Sequence, residues 1–454
     1  MPQPRRLTRR RLSPGLTRRR VIASAAAALP LVHIRTAGAA GKLNIGFWDH
    51  WVPGGTEKMR AQVAAWAEAN KVDVTADFIT SQGQKLLLTA AAEAQAKAGH
   101  DVLPFFQWDA FNYSAELEPV DDVVQGLSAK YGQYDPIVEY LAKPADHWLA
   151  VPGTDPTANL TCCGRISMLK NFAGIDIQAM YPAEPRATPE AAGWTYDAFL
   201  KAAEACAKAG FPFGMGVGST GDSYNTVGAI FRAFGAELVS AKGEITVDSD
   251  NVRSVLEYGR KLVKFFPSDT VSYDDASNNR ALISGKSALI WNPPSAWAVA
   301  KRDAPDVARD CWTFPCPAGP NGRYIPYAYM FYGIWRWSQN KSAAKELLAH
   351  LMQRKQVEER DLVCEGFNLP PQLSMSDFNI WAEVEPPKGT VFNYPIRPWH
   401  GSLPSVCAYP APPEYAIPIT NRAVIPAMWA RLHDGQTVNQ VIAWAKEEIE
   451  GFVR

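Results

Sequence analysis

The chain reads as an α/β protein of two lobes, each a mixed sheet flanked by helices. Three observations predict this: the length, a strand–helix alternation in the first third, and strand-like runs that return near residues 288 and 324. At 454 residues the chain exceeds what one ordinary core accommodates, and two lobes are the natural solution. Residues 43–48 form a short apolar strand, and Met59, Val63, Trp66 and Ala67 give the following helix its apolar stripe. Residues 72–79 alternate as a second strand, 86–98 are an alanine-rich helix, and 101–106 are a third strand. Strand, helix, strand, helix, strand is the βαβ pattern of a parallel sheet.

Further along, residues 147–152 look like a strand leaving this lobe. Thr195 can cap a helix that buries Phe199, Ala202, Ala203 and Cys206. Ser249 or Asp250 caps a strongly amphipathic helix with Val252, Val255, Leu256, Gly259, Leu262, Val263 and Phe266 on one face. Residues 279–292 run as a helical turn, a chain reversal at Gly285 and a buried strand Ala288-Leu289-Ile290, which Pro293 and Pro294 cannot continue. Residues 324–337 are aromatic and too short for a membrane span. They read as a strand recrossing between lobes, with Tyr327, Tyr329 and Phe331 on one face and Met330 and Tyr332 on the other. Prolines are frequent from 385 to 418, where regular structure is not expected. Thr437 and Gln440 have capping-box spacing at the start of the last helix.

Charge and the N-terminus bound the class. Residues 1–39 hold nine arginines and no acids, which leaves 37 basic against 46 acidic residues in the remainder, a net of about −9. That sign argues against nucleic acid or anionic lipid as a partner. Thr17-Arg18-Arg19-Arg20 precedes an alanine-rich apolar run of about a dozen residues, too short to span a bilayer that needs ~20, and Ala37-Gly38-Ala39 is a small-x-small cleavage site. The segment 1–39 is therefore expected to be a twin-arginine-type export signal, removed near Ala39 to leave a soluble periplasmic protein. Seven cysteines follow, with Cys311 and Cys316 the nearest plausible disulfide pair. No cysteine–histidine spacing suits zinc, and neither a metal nor another cofactor is expected.

Where strands should end, the chain sets aromatics beside hydrogen-bonding side chains. Trp48-Asp49-His50-Trp51 follows the first strand, Trp108-Asp109-x-x-Asn112 the third, and Trp291-Asn292 the strand at 288–290. Strand ends at a domain crevice are where α/β proteins hold ligands. Flat aromatics suit the CH face of a sugar and polar neighbours suit its rim of hydroxyls. Gly214 to Gly221 is glycine-rich, but without a Gly-Lys-Ser/Thr order its glycines serve turns rather than phosphate.

Several stretches together resemble the extracellular solute-binding proteins of sugar ABC importers, the maltose-binding-protein-like group. They are the exported N-terminus, Trp194-Thr195-Tyr196-Asp197-Ala198-Phe199, the turn and strand from Ala281 to Leu289, Asn340-Lys341-Ser342-Ala343-Ala344-Lys345-Glu346, and Gly366-Phe367-Asn368-Leu369-Pro370. They cover roughly residues 43 to 375 in order. The resemblance implies a two-lobed periplasmic-binding-protein fold with a ligand cleft between the lobes. It implies a monomer, not an enzyme, that closes on a small sugar or polyol and hands it to the permease subunits of an importer in the inner membrane. By analogy the first lobe comprises 43–150 plus 285–330, and the second 151–284 plus 331–454. The candidate ligand-binding set is Trp48, Asp49, Trp51, Trp108, Asp109, Asp155, Tyr224, Trp291, Asn292, Tyr327, Tyr329 and Phe367. Asp155 and Tyr224 enter it because the family's pattern puts their turns beside the cleft. Two rivals remain. A periplasmic glycoside hydrolase would recruit a carboxylate pair from Asp49, Asp109 and Asp155. A ferric receptor would use Tyr327 and Tyr329.

Overall fold

The computed structural model describes residues 42–453 apart from 145, 156, 183–186, 293–294, 366, 376–377 and 379–401. The export signal, Pro293, Pro294 and Gly366 thus lie outside the described residues, as does the first half of the proline-rich stretch. No helix among the described residues is long and apolar enough to cross a membrane.

Twelve strands occur among the described residues. The first sheet has the order β2-β1-β3-β11-β4, from Asp73–Ile79, Lys42–Trp48, Val102–Phe106, Met330–Ile334 and Val151–Pro152. β1 runs parallel to β2 and β3, as the βαβ reading expects, while β11 returns antiparallel between β3 and β4. Leu43, Ile45 and Phe47 of β1 are buried against the helix Pro53–Asn70, which contributes Met59, Val63 and Trp66. Pro53 opens that helix, where a missing N–H costs nothing, and Lys71 ends it in the left-handed conformation. The helices Lys341–Leu351 and Arg354–Val363 also pack on it.

The second sheet is antiparallel, in the order β7-β6-β8, from Leu289–Trp291, Cys162–Arg165 and Cys311–Phe314. Helix Tyr196–Lys208 serves it, with the Thr195 side chain capping Ala198 N, and helix Asp250–Leu262 lies beyond. Helices Val424–His433 and Val438–Glu450 pack on Asp250–Leu262, and the latter begins with the expected Thr437/Gln440 capping box. Gly259 is required at that crossing, because a Cβ there would lie 2.6 Å from the Trp429 ring. A third sheet joins β12 (Leu403–Ser405), β10 (Gly322–Ala328) and β5 (Ala158–Asn159), with β9 (Ala318–Gly319) beside β10.

Sheet membership departs from the expected segments in three places. β7, in the stretch 285–330 expected with the first lobe, pairs with β6 in the second sheet. β11 and the helices Lys341–Leu351 and Arg354–Val363, in the stretch expected with the second lobe, belong with the first sheet. The aromatic run 324–337 is two strands in different sheets, broken at Tyr329, rather than one. A period-two pattern reports which faces are buried, and it carries no information on which sheet buries them. The proline-rich end is also more regular than expected: Pro413–Asn421 is a helix with Pro413 in its first turn.

All seven cysteines are buried and unbridged. The expected neighbours Cys311 and Cys316 do not meet. Because β6 and β8 run antiparallel, the Cys311 thiol lies beside Cys163 and the Cys316 thiol beside Cys162.

Candidate functional site

A cavity of about 570 Å³ opens where the ends of β1 and β3 meet the N-terminus of helix Gly221–Ala233 and the end of β7. Its aromatic wall comes from Trp48, Trp51, Phe106, Trp108, Tyr224 and Phe367. Trp48 and Phe367 stack with centroids 6.0 Å apart and an interplanar angle of 25°. Trp108 is fixed edge-on to Tyr140 at 4.5 Å and to Phe111 at 5.1 Å. The indole nitrogens of Trp48 and Trp108 have no hydrogen-bond partner.

Gln107 organises the junction, and nothing in its sequence context announces this. It takes φ 46°, a left-handed conformation unusual for a non-glycine residue, which turns the chain sharply from β3 into the short helix Asp109–Asn112. Its side chain is 3 % exposed, and Nε2 donates to the Tyr327 carbonyl at 2.6 Å and to Asn225 Oδ1 at 3.2 Å. Those two bonds tie the end of β3 to β10 and to helix Gly221–Ala233. Since Nε2 must face the Tyr327 carbonyl, the amide orientation is set, and Oε1 is left without a partner.

Four carboxyl groups line the cavity: Asp109, Asp222, Asp274 and Asp275. No lysine, arginine or histidine is among the lining residues described. Asp274 forms an exposed pair with Arg280 at 2.7 Å. The other three have no such cation among the described residues. Burial pushes Asp109 up to about 7, with a backbone hydrogen bond at Phe106 pulling the other way. Burial and then the charge of Asp275 push Asp222 well above the ordinary carboxyl range, and burial raises Asp275 as well. Asp275 accepts from Asp222 N at 3.0 Å, and Asn278 Nδ2 donates to Asp222 Oδ2 at 2.8 Å. Asn279, also at the cavity, has an unpartnered Oδ1.

Of the twelve candidates, Trp48, Trp51, Trp108, Asp109, Tyr224, Asn292 and Phe367 line this cavity. Asn292 accepts from Ser295 Oγ at 2.8 Å and is held by its N–H to the Thr161 carbonyl at 2.9 Å. The remaining five do not line it. Asp49 is exposed and accepts from Thr56 Oγ1 at 3.1 Å. Trp291 is 1 % exposed and packs edge-on against Phe199 at 5.9 Å, because β7 ends inside the second sheet's core one residue later than its apolar run suggests. Tyr327 and Tyr329 stack on each other at 5.4 Å, and burial raises both phenols. Asp155 is buried in an ion pair with Arg360 at 2.7 Å.

That ion pair anchors a polar cluster around Asn368, next to Phe367 in the chain. Asn368 bonds Asp155 and the His50 ring, the latter at 2.9 Å. His50 Nδ1 accepts from Val52 N at 2.9 Å, so its proton sits on Nε2, toward Asn368 Oδ1. Burial lowers the His50 pKa, and the ring is neutral. His50, Asp155 and Cys364 offer three possible metal-ligand atoms within 4.8 Å of one another. Each is already committed: His50 to Val52 and Asn368, Asp155 to Arg360, and the Cys364 thiol, raised by burial and then by Asp155, accepts from Asn368 at 3.2 Å. The arrangement fits a locked support beneath Phe367 better than an ion site.

Thr420, Asn421 and Ala423, which no pattern in the sequence singles out, also reach the cavity from the end of helix Pro413–Asn421. Asn421 Nδ2 meets Asn112 Oδ1 at 3.2 Å.

A family profile described as bacterial extracellular solute-binding protein matches residues 53–358, about two thirds of the chain. The chain belongs to this family. It is similar in structure to maltose-bound MalE3 of T. maritima, with TM-score 0.69 and 16 % identity over 90 % of this chain and 99 % of that one. It is likewise similar to a sugar transporter of Arthrobacter chlorophenolicus A6 with bound laminaribiose, at TM-score 0.67 and 16 % identity over 90 % and 99 %. UgpB of Mycobacterium tuberculosis in complex with glycerophosphocholine gives TM-score 0.69 and 12 % identity over 92 % and 99 %. No curated protein matches the chain. The fold is the two-lobed α/β fold of periplasmic binding proteins, and the chain is a solute-binding protein.

Proposed function

We propose that the protein captures a small polyhydroxylated solute, a sugar or polyol, and delivers it to the permease subunits of an ABC-type importer. The observation that carries this reading is the cavity: three tryptophans and Phe367 form its walls, and Gln107, Asn225, Asn279 and Asn292 supply amides beside them. The neighbours with bound maltose and laminaribiose support it. Micromolar capture requires about −8.2 kcal/mol. Aromatic contacts of about 0.5–1.5 kcal/mol and hydrogen bonds of about 1 kcal/mol each reach that sum only by acting together, since lost freedom costs several kcal/mol.

One lobe is built on the first sheet with the helices after β11, and the other on the second sheet with the C-terminal helices. The lobes close on the solute between them. The mature protein works as a periplasmic monomer after twin-arginine export and is a receptor rather than an enzyme. Of the carboxylates nominated for a hydrolase, Asp49, Asp109 and Asp155, only Asp109 lines the cavity. Tyr327 and Tyr329, the ferric candidates, stack away from it.

A thermal-shift screen of the purified protein against sugars and polyols tests the reading, with a parallel assay for glycoside turnover. Stabilisation by a member of the panel without turnover is the expected result. Steady turnover would overturn it.

A further inference from the structure

The cavity's charged groups are of one sign, with acidic and no basic side chains among the described lining residues. Asp109, Asp222 and Asp275 present carboxyl oxygens with no cationic side chain to meet them. Gln107 Oε1, on a residue 3 % exposed, and Asn279 Oδ1, on one 8 % exposed, are acceptors that lack a donor. Tyr224 stands among all three acids, close enough for each of their charges to act on its phenol. The indole N–H groups of Trp48 and Trp108 are buried donors that lack an acceptor among the described residues. A neutral hydroxylated solute would bring no charge to balance these carboxyls. A phosphate or uronate would add negative charge beside carboxyls already resisting ionisation, with no basic residue to receive it. An ammonium group offers up to three donors, no acceptor, and the compensating charge. The tryptophan and tyrosine faces suit a cation equally well.

We propose that the cavity selects a solute carrying a protonated amine on a hydroxylated frame, such as an amino-substituted saccharide or polyol, with the cation held by Asp109, the Asp222–Asp275 pair and Gln107 Oε1. This rests on the solute-receptor reading and narrows it to one ligand chemistry. The hydroxylated part lies against the tryptophans, whose indole N–H groups donate to its oxygens. The cation releases the strain of the buried acids: on binding, Asp109 loses its proton to solvent and stays ionised beside the ammonium. Capture at pH 6 is therefore accompanied by proton release.

Calorimetry at pH 6 with matched mono-, di- and trisaccharides tests this, each supplied in hydroxyl, amino and N-acetylamino form together with the corresponding uronic acid. An amino form is expected to bind at least tenfold more tightly than its hydroxyl and acetylated counterparts, with a buffer-dependent heat that reports proton release. Asp109→Asn is expected to remove that preference and the buffer dependence while its melting temperature shows that it folds. If a hydroxyl, acetylated or uronic form binds as tightly as its amino partner, the cation inference fails and the receptor reading survives. If none of the panel binds, both fail. An amino preference that persists unchanged in both Asp109→Asn and Asp222→Asn overturns the assignment of these carboxyls.

Discussion

Asp109 is the place where the site's chemistry trades against the fold's stability, and Asp109→Asn measures the exchange. Its carboxyl is raised from 3.8 to about 7, chiefly by burial. An acid whose folded pKa lies above its unfolded one costs stability once pH passes the unfolded value, and the cost saturates above the folded value. Asp109 thus weakens the ligand-free protein progressively between about pH 4 and pH 7. At ~1.4 kcal/mol per unit, a shift of about three units amounts to ~4 kcal/mol in full. The side chain is only half-buried, and solvent screening reduces that to about 2 kcal/mol. Asparagine keeps the shape and removes the charge, so the variant should be more stable than the parent at pH 8 by about that much. Its advantage should grow by about 1 kcal/mol between pH 5 and pH 8. Urea unfolding of both proteins, ligand-free, at the two pH values reads this directly. An advantage that is the same at pH 5 and pH 8, or an asparagine variant less stable at both, would refute the burial of an uncompensated charge at this position.

Two further outcomes follow from side chains outside the cavity. Trp291→Ala should cost about 3–5 kcal/mol in unfolding free energy, since it empties a fully buried site against Phe199, while solute affinity in the folded fraction stays within about twofold; calorimetry and denaturant melts separate the two. His100 is held by Glu93 at 2.5 Å and Asp77 at 3.2 Å, and its hydrogen bond to Glu93 leads the causes that raise its pKa. Its stabilisation is complete below about 6.5 and is lost as pH rises through the raised value. The parent's advantage over His100→Asn should therefore be larger at pH 5.5 than at pH 8.5, which paired melts can check.

Local features of this fold are legible in the sequence, and long-range ones are not. The helix starts at Thr195, Ser249 and Thr437 were legible because capping is local, needing one side chain and a backbone N–H three residues on. The parallel β1–β2–β3 unit was legible for a related reason, since its strands and helices alternate without interruption. The sheet that receives β7 or β11 was not, because strand pairing joins residues more than a hundred positions apart. The same distinction governs the site. Trp48, Trp108 and Asn292 sit where strand ends were expected to put them. The same rule places Trp291 at the ligand, but β7 extends one residue further than its aliphatic run and takes the indole into the core. Asp155 looked like a cleft acid, and only the fold brings Arg360 to it across two hundred residues. Gln107 and Asp222 carried no signal beyond standing next to residues that were noticed. Their importance comes from a left-handed turn and from a neighbour, Asp275, that the helix start alone does not reveal.

The proposed function places the solute in the cavity at the ends of β1 and β3. Trp51 tests it most directly, because this residue lines the cavity while being only half-buried, so its loss perturbs the core little. Calorimetric titration of the parent and of Trp51→Ala, with the tightest solute from the screen, should show affinity falling at least tenfold, about 1.4 kcal/mol or more, with the melting temperature of the free protein nearly unchanged. Equal affinity in the two proteins would place the solute elsewhere and contradict the account.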